Sequence, residues 1–211
     1  MNKVFCIFPK DITTSFLEPA FNALLAHGMT YGVYGDSSED EFYEKMIEGI
    51  FNPDCDALFF LGHGCSKQLY GNGFSTLISQ DELKHINEKT LILFACHSSQ
   101  LLYNINATKG IGFGFIPSGP DDILDSARFH NLDLSPLNET DWSYLRNAYQ
   151  KCWTRTINSL NNISDVNLLY KRLDFFFCKA IVETLQSCDL RHKRLISDIL
   201  FYVKRDMILK S

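Results

Sequence analysis

The sequence has no apolar run approaching the ~18 residues needed to cross a bilayer. Its first fifteen residues, MNKVFCIFPKDITTS, hold only the short apolar stretch from Val4 to Phe8, too little for a secretory leader. It has no C-x-x-C pair, and its cysteine count is odd: the seven are Cys6, Cys55, Cys65, Cys96, Cys152, Cys178 and Cys188. That pattern speaks against a disulfide framework and predicts reduced thiols in a cytoplasm. The sequons at Asn106, Asn138 and Asn162 are then chance matches. A basic surplus is also missing: 20 Lys and Arg stand against 25 Asp and Glu, a formal net charge of -5. This argues against nucleic acid as a partner. The one basic cluster, Arg191 to Arg194, reads as a solvated helix face. No internal repeat, low-complexity tract or G-x-S-x-G elbow occurs, and Gly110, Gly112 and Gly114 lack the spacing of a dinucleotide loop. Cys55, His63, Cys65, Cys96 and His97 match no zinc spacing. No metal, no cofactor and no membrane partner are expected.

What is present is ordinary globular material. The chain has 211 residues, 45% of them hydrophobic and 21% charged, enough for one domain or one domain with a helical extension. Val4 to Phe8 reads as a buried strand. Thr13 to His27 has helical spacing, with Gly28 as its cap, although Pro19 moves the helix start toward itself. A short strand over Thr30 to Tyr34 and a helix from Ser37 or Ser38 to Ile50 follow. Asp56 to Leu61 and Thr90 to Ala95 are apolar without alternation, as in the middle of a parallel sheet. Between them, Gly71-Asn72-Gly73 marks a hairpin, and Ser79 with Glu82 forms the capping box of a short helix. Ser98 to Ile105 predicts a helix and Gly110 to Ile116 a glycine-rich strand. Residues 120 to 140 are loop-like, and from Trp142 the pattern is helical to the end. The aromatics there read as core, not as a cofactor box. The sum is an α/β fold with a mostly parallel sheet: a core over 1–140 and a helical portion over 141–211 packed on it as one domain.

Two apolar strands each deliver a reactive side chain at the same kind of place. ALFFLGHG ends in His63-Gly64, and TLILFACHSS ends in Cys96-His97. In open α/β sheets the crevice past the carboxyl ends of the strands holds ligands and chemistry. If the two strands are neighbours, ~4.8 Å apart, His63 and Cys96 share that crevice. A thiol needs a base to become a nucleophile, and an imidazole serves as that base and later as the acid for a leaving amine. Gly64 lets its backbone N–H approach a bound carbonyl, and with the N–H of Cys96 it makes an oxyanion hole. His97 is assigned a supporting place, and Cys65 reads as a spare thiol near the site or as a residue that merely fills space.

These residues resemble the caspase-like cysteine peptidases of clan CD, closest to the bacterial CHAT-type proteases. In that family an apolar strand ends in His-Gly and the next ends in Ala-Cys. The intervening LYGNGFSTLISQDELKHINEKT is similar to the CHAT hairpin and short helix. CHSS is similar to the Cys-His-Ser-Gly of metacaspases, and KGIGFGFIPSG resembles the strand that carries part of the substrate groove. The resemblance covers roughly residues 1 to 120. It implies a caspase-haemoglobinase fold and a Cys96–His63 dyad. It also implies a protein substrate lying extended beside Gly110 to Ile116, against Gly112, Phe113 and Gly114. Two departures stand out. The spacing from His63 to Cys96 is shorter than the ~50 residues of caspases, which points to the CHAT-like members. The acidic residue that metacaspases carry two places before the cysteine is Phe94 here. Other members take their specificity charge from the first strand's end or from the loop after the groove strand. Asp11, Asp121 and Asp122 are the acidic candidates for it and Lys10 the basic one, which favours substrates with Arg or Lys before the cleaved bond. Stand-alone relatives often work beside an activating or cleaved protein, some in defence against phage. The competing expectation is a catalytically silent interaction module of the same fold.

Overall fold

The computed structural model describes residues 3–27, 30–122 and 130–211. Gly28, expected as a helix cap, lies outside them. The chain is a mixed α/β structure around a six-stranded, mostly parallel sheet. In chain order the elements are β1 (Lys3–Pro9), α1 (Glu18–Leu25), β2 (Thr30–Gly35), α2 (Asp40–Phe51) and β3 (Cys55–Leu61). A second, three-stranded antiparallel sheet follows: β4 (His63–Gly64), β5 (Gln68–Tyr70) and β6 (Thr76–Ser79). Then come α3 (Gln80–Lys84), β7 (Thr90–Phe94), α4 (Ser98–Asn104) and β8 (Lys109–Gly112). The chain ends in α5 (Glu139–Asn158), α6 (Val166–Gln186), α7 (Lys193–Arg205) and β9 (Ile208–Lys210). The main sheet runs β2-β1-β3-β7-β8-β9, with only β9 antiparallel.

Strand alternation divides two cores. Ala57, Phe59 and Leu61 of β3 and Ile92 and Phe94 of β7 face one layer, with α1, α5, α6 and α7. Leu58 and Phe60, with Leu91 and Leu93, face the other, with α2 and α4. Both faces are covered, which is why these strands read as unbroken apolar runs. Trp142, Leu145, Tyr149 and Trp153 of α5 are buried in the first layer, as core aromatics.

Three elements differ from the sequence expectation. The first helix does not begin at Thr13. A 3-10 turn over Ser15–Leu17 precedes α1, which starts at Glu18 with Pro19 in its first turn. Residues 11–14 instead form a turn in which the Asp11 carboxylate accepts the Thr13 N–H at 2.8 Å. The expected strand over Gly110 to Ile116 stops at Gly112. Beyond it the Phe113 and Gly114 carbonyls accept from the N–H groups of Ser99 and His97, at 2.9 and 2.8 Å, so the chain bends around the start of α4. The C-terminal portion is not helical to its end. β9 pairs with β8, Gly110 opposite Lys210 and Gly112 opposite Ile208, so the last residues close the sheet edge.

Candidate active site

β3 and β7 are direct neighbours in parallel register, Leu61 opposite Phe94. Gly62 extends the ladder by donating to the Phe94 carbonyl at 3.1 Å. His63 and Cys96 thus each lie two residues beyond the same paired position, one residue further than the strand-end expectation. Both line one small cavity with Thr14, Phe16, Leu17, Gly62, Phe94, Ile116 and Ser118. Its volume is about 20 Å³, room for about one water molecule. The Cys96 sulfur accepts the Ile116 N–H at 3.4 Å and donates to the Ile116 carbonyl at 3.7 Å. Cys96 enters a sharp turn, because His97 is left-handed, with φ 56, directly before α4. Ser98 fixes that turn from behind. Its buried hydroxyl donates to the Leu93 carbonyl at 2.7 Å and accepts from the Phe113 N–H at 2.9 Å, tying the ends of β7 and β8 together. The His97 ring is exposed and stacks on Phe115 with centroids 6.0 Å apart; it lines neither cavity described here.

His63 opens β4, paired with Tyr70 of β5, and Gly64 pairs with Leu69. The next N–H, of Cys65, donates to the Gln68 carbonyl at 2.9 Å and closes the hairpin. Ladder alternation then turns the Gly64 N–H away from β5. A Cβ on Gly64 would stand 3.0 Å from the Ala95 Cβ, so glycine is what lets this turn lie against the Cys96 turn. Cys65 is half-buried beside it. Burial raises its thiol pKa, but the Tyr70 hydroxyl and the Lys67 and Gln68 N–H groups outweigh burial and hold it below the ordinary value.

The far side of the His63 ring carries a polar cluster. Nε2 lies 2.6 Å from the Thr13 hydroxyl, and that hydroxyl donates to Asp11 Oδ1 at 2.5 Å. The carboxylate is 3.6 Å from Nε2, beyond direct hydrogen bonding. The side chains of His63 and Asp11 are only 18% and 12% exposed. Burial raises the Asp11 carboxyl, but the Thr13 hydroxyl and N–H and the nearby His63 ring pull it the other way and leave it below its usual range. One face of His63 is covered by Phe74, with centroids 4.7 Å apart. Phe74 holds a left-handed backbone, φ 60, an unusual conformation for a bulky residue.

A second, larger cavity of about 470 Å³ adjoins the first and shares His63, Phe16 and Ser118 with it. Ile12, Thr13, Ser15, Phe74, Gly119, Pro120, Asp121 and Arg146 complete its wall. Arg146 reaches from α5, donating to the Ser118 carbonyl at 3.1 Å and pairing with Glu139. Tyr149, also of α5, donates to the Pro117 carbonyl at 3.0 Å.

The structure brings His63, Gly64 and Cys96 together and scatters the residues expected to touch substrate. Asp11 is at the site, but as a neighbour of the histidine, so it no longer counts among the acidic specificity candidates. Asp121 lines the larger cavity, opposite in charge to Arg146. Phe94 is buried and its ring packs edge-on against Phe113 and Trp153. Phe113 is fully buried and therefore unavailable to a ligand. A Cβ on Gly112 would meet the Ser99 nitrogen at 2.7 Å, and one on Gly114 would meet the Asp206 Cβ at 2.8 Å, so both glycines serve internal packing. Beside Gly110 to Gly112 the strand edge is taken by β9, which excludes a substrate strand there. Thr13, Phe74, Ser118 and Arg146 were not legible as site residues. Only Thr13 had a signal, the Asp-x-Thr turn pattern.

Among the described residues no group of three or more His, Cys, Asp or Glu converges as a metal site, and no helix is long and apolar enough to cross a membrane. Comparison with protein-family models and with curated proteins finds no match. The functional reading therefore rests on the geometry of the site and the motifs that build it.

Proposed function

We propose that the chain is a caspase-like cysteine endopeptidase of the CHAT type, with Cys96 as nucleophile and His63 as acid and base. The observation that carries this is the shared register: two neighbouring parallel strands place His63 and Cys96 two residues past one paired position, in one cavity. Cys96 Sγ adds to the peptide carbonyl while its proton passes to His63. The oxyanion is held by the N–H groups of Gly64 and Cys96. His63 then gives its proton to the departing amine as the C–N bond breaks. Water, deprotonated by His63, cleaves the thioester and restores the thiol. The 470 Å³ cavity beside His63 has the size of a side-chain pocket and takes the residue before the cleaved bond.

One observation favours control of this activity by a partner or signal. Ile116 is bonded to Cys96 on both its N–H and its carbonyl, and the cavity at the sulfur holds about one water. An acyl group needs more room, so the segment after β8 must shift before Cys96 is acylated. A bacterial anti-phage role would follow from the resemblance to stand-alone CHAT-type proteases.

The test is labelling with peptide acyloxymethyl ketones carrying Arg, Lys, Asp or Asn at the terminal position, mapped by mass spectrometry, in pure protein and in lysate of the source cell. Selective modification of Cys96, lost in His63→Ala, supports the peptidase. Equal modification of every exposed cysteine in both settings rejects it and leaves the silent interaction module.

A further inference from the structure

Thr13 belongs to no motif that pointed to the site, yet its hydroxyl is the group in contact with His63 Nε2, at 2.6 Å. A hydroxyl has one proton to give. Asp11 is ionised at neutral pH, since its carboxyl lies below the ordinary range, and an ionised carboxylate only accepts. Its Oδ1 is 2.5 Å from the Thr13 oxygen. Were the Thr13 proton directed at His63, two oxygen lone pairs would face each other at that distance. The Thr13 proton therefore goes to Asp11, and the Thr13 oxygen must accept from the imidazole.

We infer that the pair Asp11–Thr13 sets the tautomer of His63: Nε2 carries the proton and Nδ1 is left with the lone pair. Thr13 and Asp11 are positioning residues, acting through the histidine, although Thr13 also lines the larger cavity. The catalytic consequence rests on the role proposed for His63; the tautomer itself does not. When the Cys96 proton moves, it goes to Nδ1, and the imidazolium then holds protons on both nitrogens. The Nε2 proton stays in its bond to Thr13 while the Asp11 charge, 3.6 Å from Nε2, stabilises the cation. The Nδ1 proton is the one delivered to the leaving amine. Phe74 on the ring face and Thr13 on the ring edge together restrict rotation to this setting.

The deciding experiment is a long-range proton–nitrogen correlation spectrum of the 15N-labelled full chain at pH about 8, above the ordinary histidine value of ~6.5. The chain has 6 histidines, and His63→Gln identifies the signal by its loss. The expected pattern for His63 is a single Nε2–H tautomer, retained in Thr13→Ser and replaced by a mixture in Thr13→Val. An Nδ1–H pattern in the wild-type protein overturns the inference without any variant, as does an unchanged pattern in Thr13→Val. In turnover assays Thr13→Val should lower kcat more than it alters KM, by about 10- to 100-fold, within what acid–base catalysis supplies, and Thr13→Ser should restore it. An Nε2–H pattern in a protein whose Cys96 no peptide ketone labels would leave the inference standing while the peptidase reading falls.

Discussion

His63 and Cys96 gain their meaning from each other, and each has a single-residue consequence. Removing the proposed base in His63→Ala should cut peptide cleavage by about 100- to 10,000-fold with the melting transition retained, because the ring lines a cavity and belongs to neither hydrophobic core. Assays of cleavage and melting on the same samples check both halves. Gly64→Ala should impair activity while leaving the thiol in place, since its Cβ presses on Ala95 at 3.0 Å and pushes the two turns apart. Asp11 adds a pH effect of defined sign. Its folded pKa lies below the ordinary 3.8, so its contribution to stability is full above that value and fades as pH falls through the lower folded one. Denaturant titrations below pH ~5 should show a smaller loss in Asp11→Asn than in the wild type, because other carboxylates held below their ordinary range titrate in both. At this scale the convergence of His63 and Cys96 on one cavity was legible because His63-Gly64 and Cys96 follow apolar runs. Thr13 and Phe74 were not, because their role depends on where turns of distant segments meet.

Among elements, the β7–α4 turn is tied to the end of β8 by one buried side chain. Ser98 is fully buried and bridges Leu93 and Phe113, so Ser98→Ala should cost about 1–3 kcal/mol by leaving buried backbone groups unpaired. Gly112→Ala forces a Cβ onto the backbone of α4 and should cost about as much or more; chemical denaturation measures both. The strands β1, β3 and β7 were legible as buried because both their faces are covered, and the capped α3 because Ser79 and Glu82 bond reciprocally. The strand over Gly110 to Ile116 was over-read, since its glycines signal close packing against α4 and Asp206 as readily as close approach of a ligand. The hairpin at Gly71 to Gly73 was legible as a turn, but not the left-handed Phe74 it delivers onto His63.

In the whole molecule, the helical portion is part of the site's frame. Tyr149 and Arg146 of α5 hold the Pro117 and Ser118 carbonyls, and β9 closes the sheet beside β8. Deleting residues 207–211 should expose the β8 edge, lower stability and promote association, readable by denaturation and size-exclusion chromatography. The α/β class was legible from alternating strand and helix patterns. The return of the terminus to the sheet was not, because ILK is too short to carry a strand signal without its partner.

One cavity holds the Cys96 thiol and the His63 imidazole, and the proposal is that the imidazole serves as the thiol's base. Its most direct measurement is the rate of alkylation of Cys96 by iodoacetamide at neutral pH, compared between wild type and His63→Ala, with the exposed Cys178 and Cys188 as internal references. A rate for Cys96 that falls in His63→Ala while the two references stay constant is the predicted result. Equal Cys96 rates in the two proteins, with Cys96 reacting as fast as Cys178 and Cys188 and so not held closed, would contradict the pairing of thiol and imidazole.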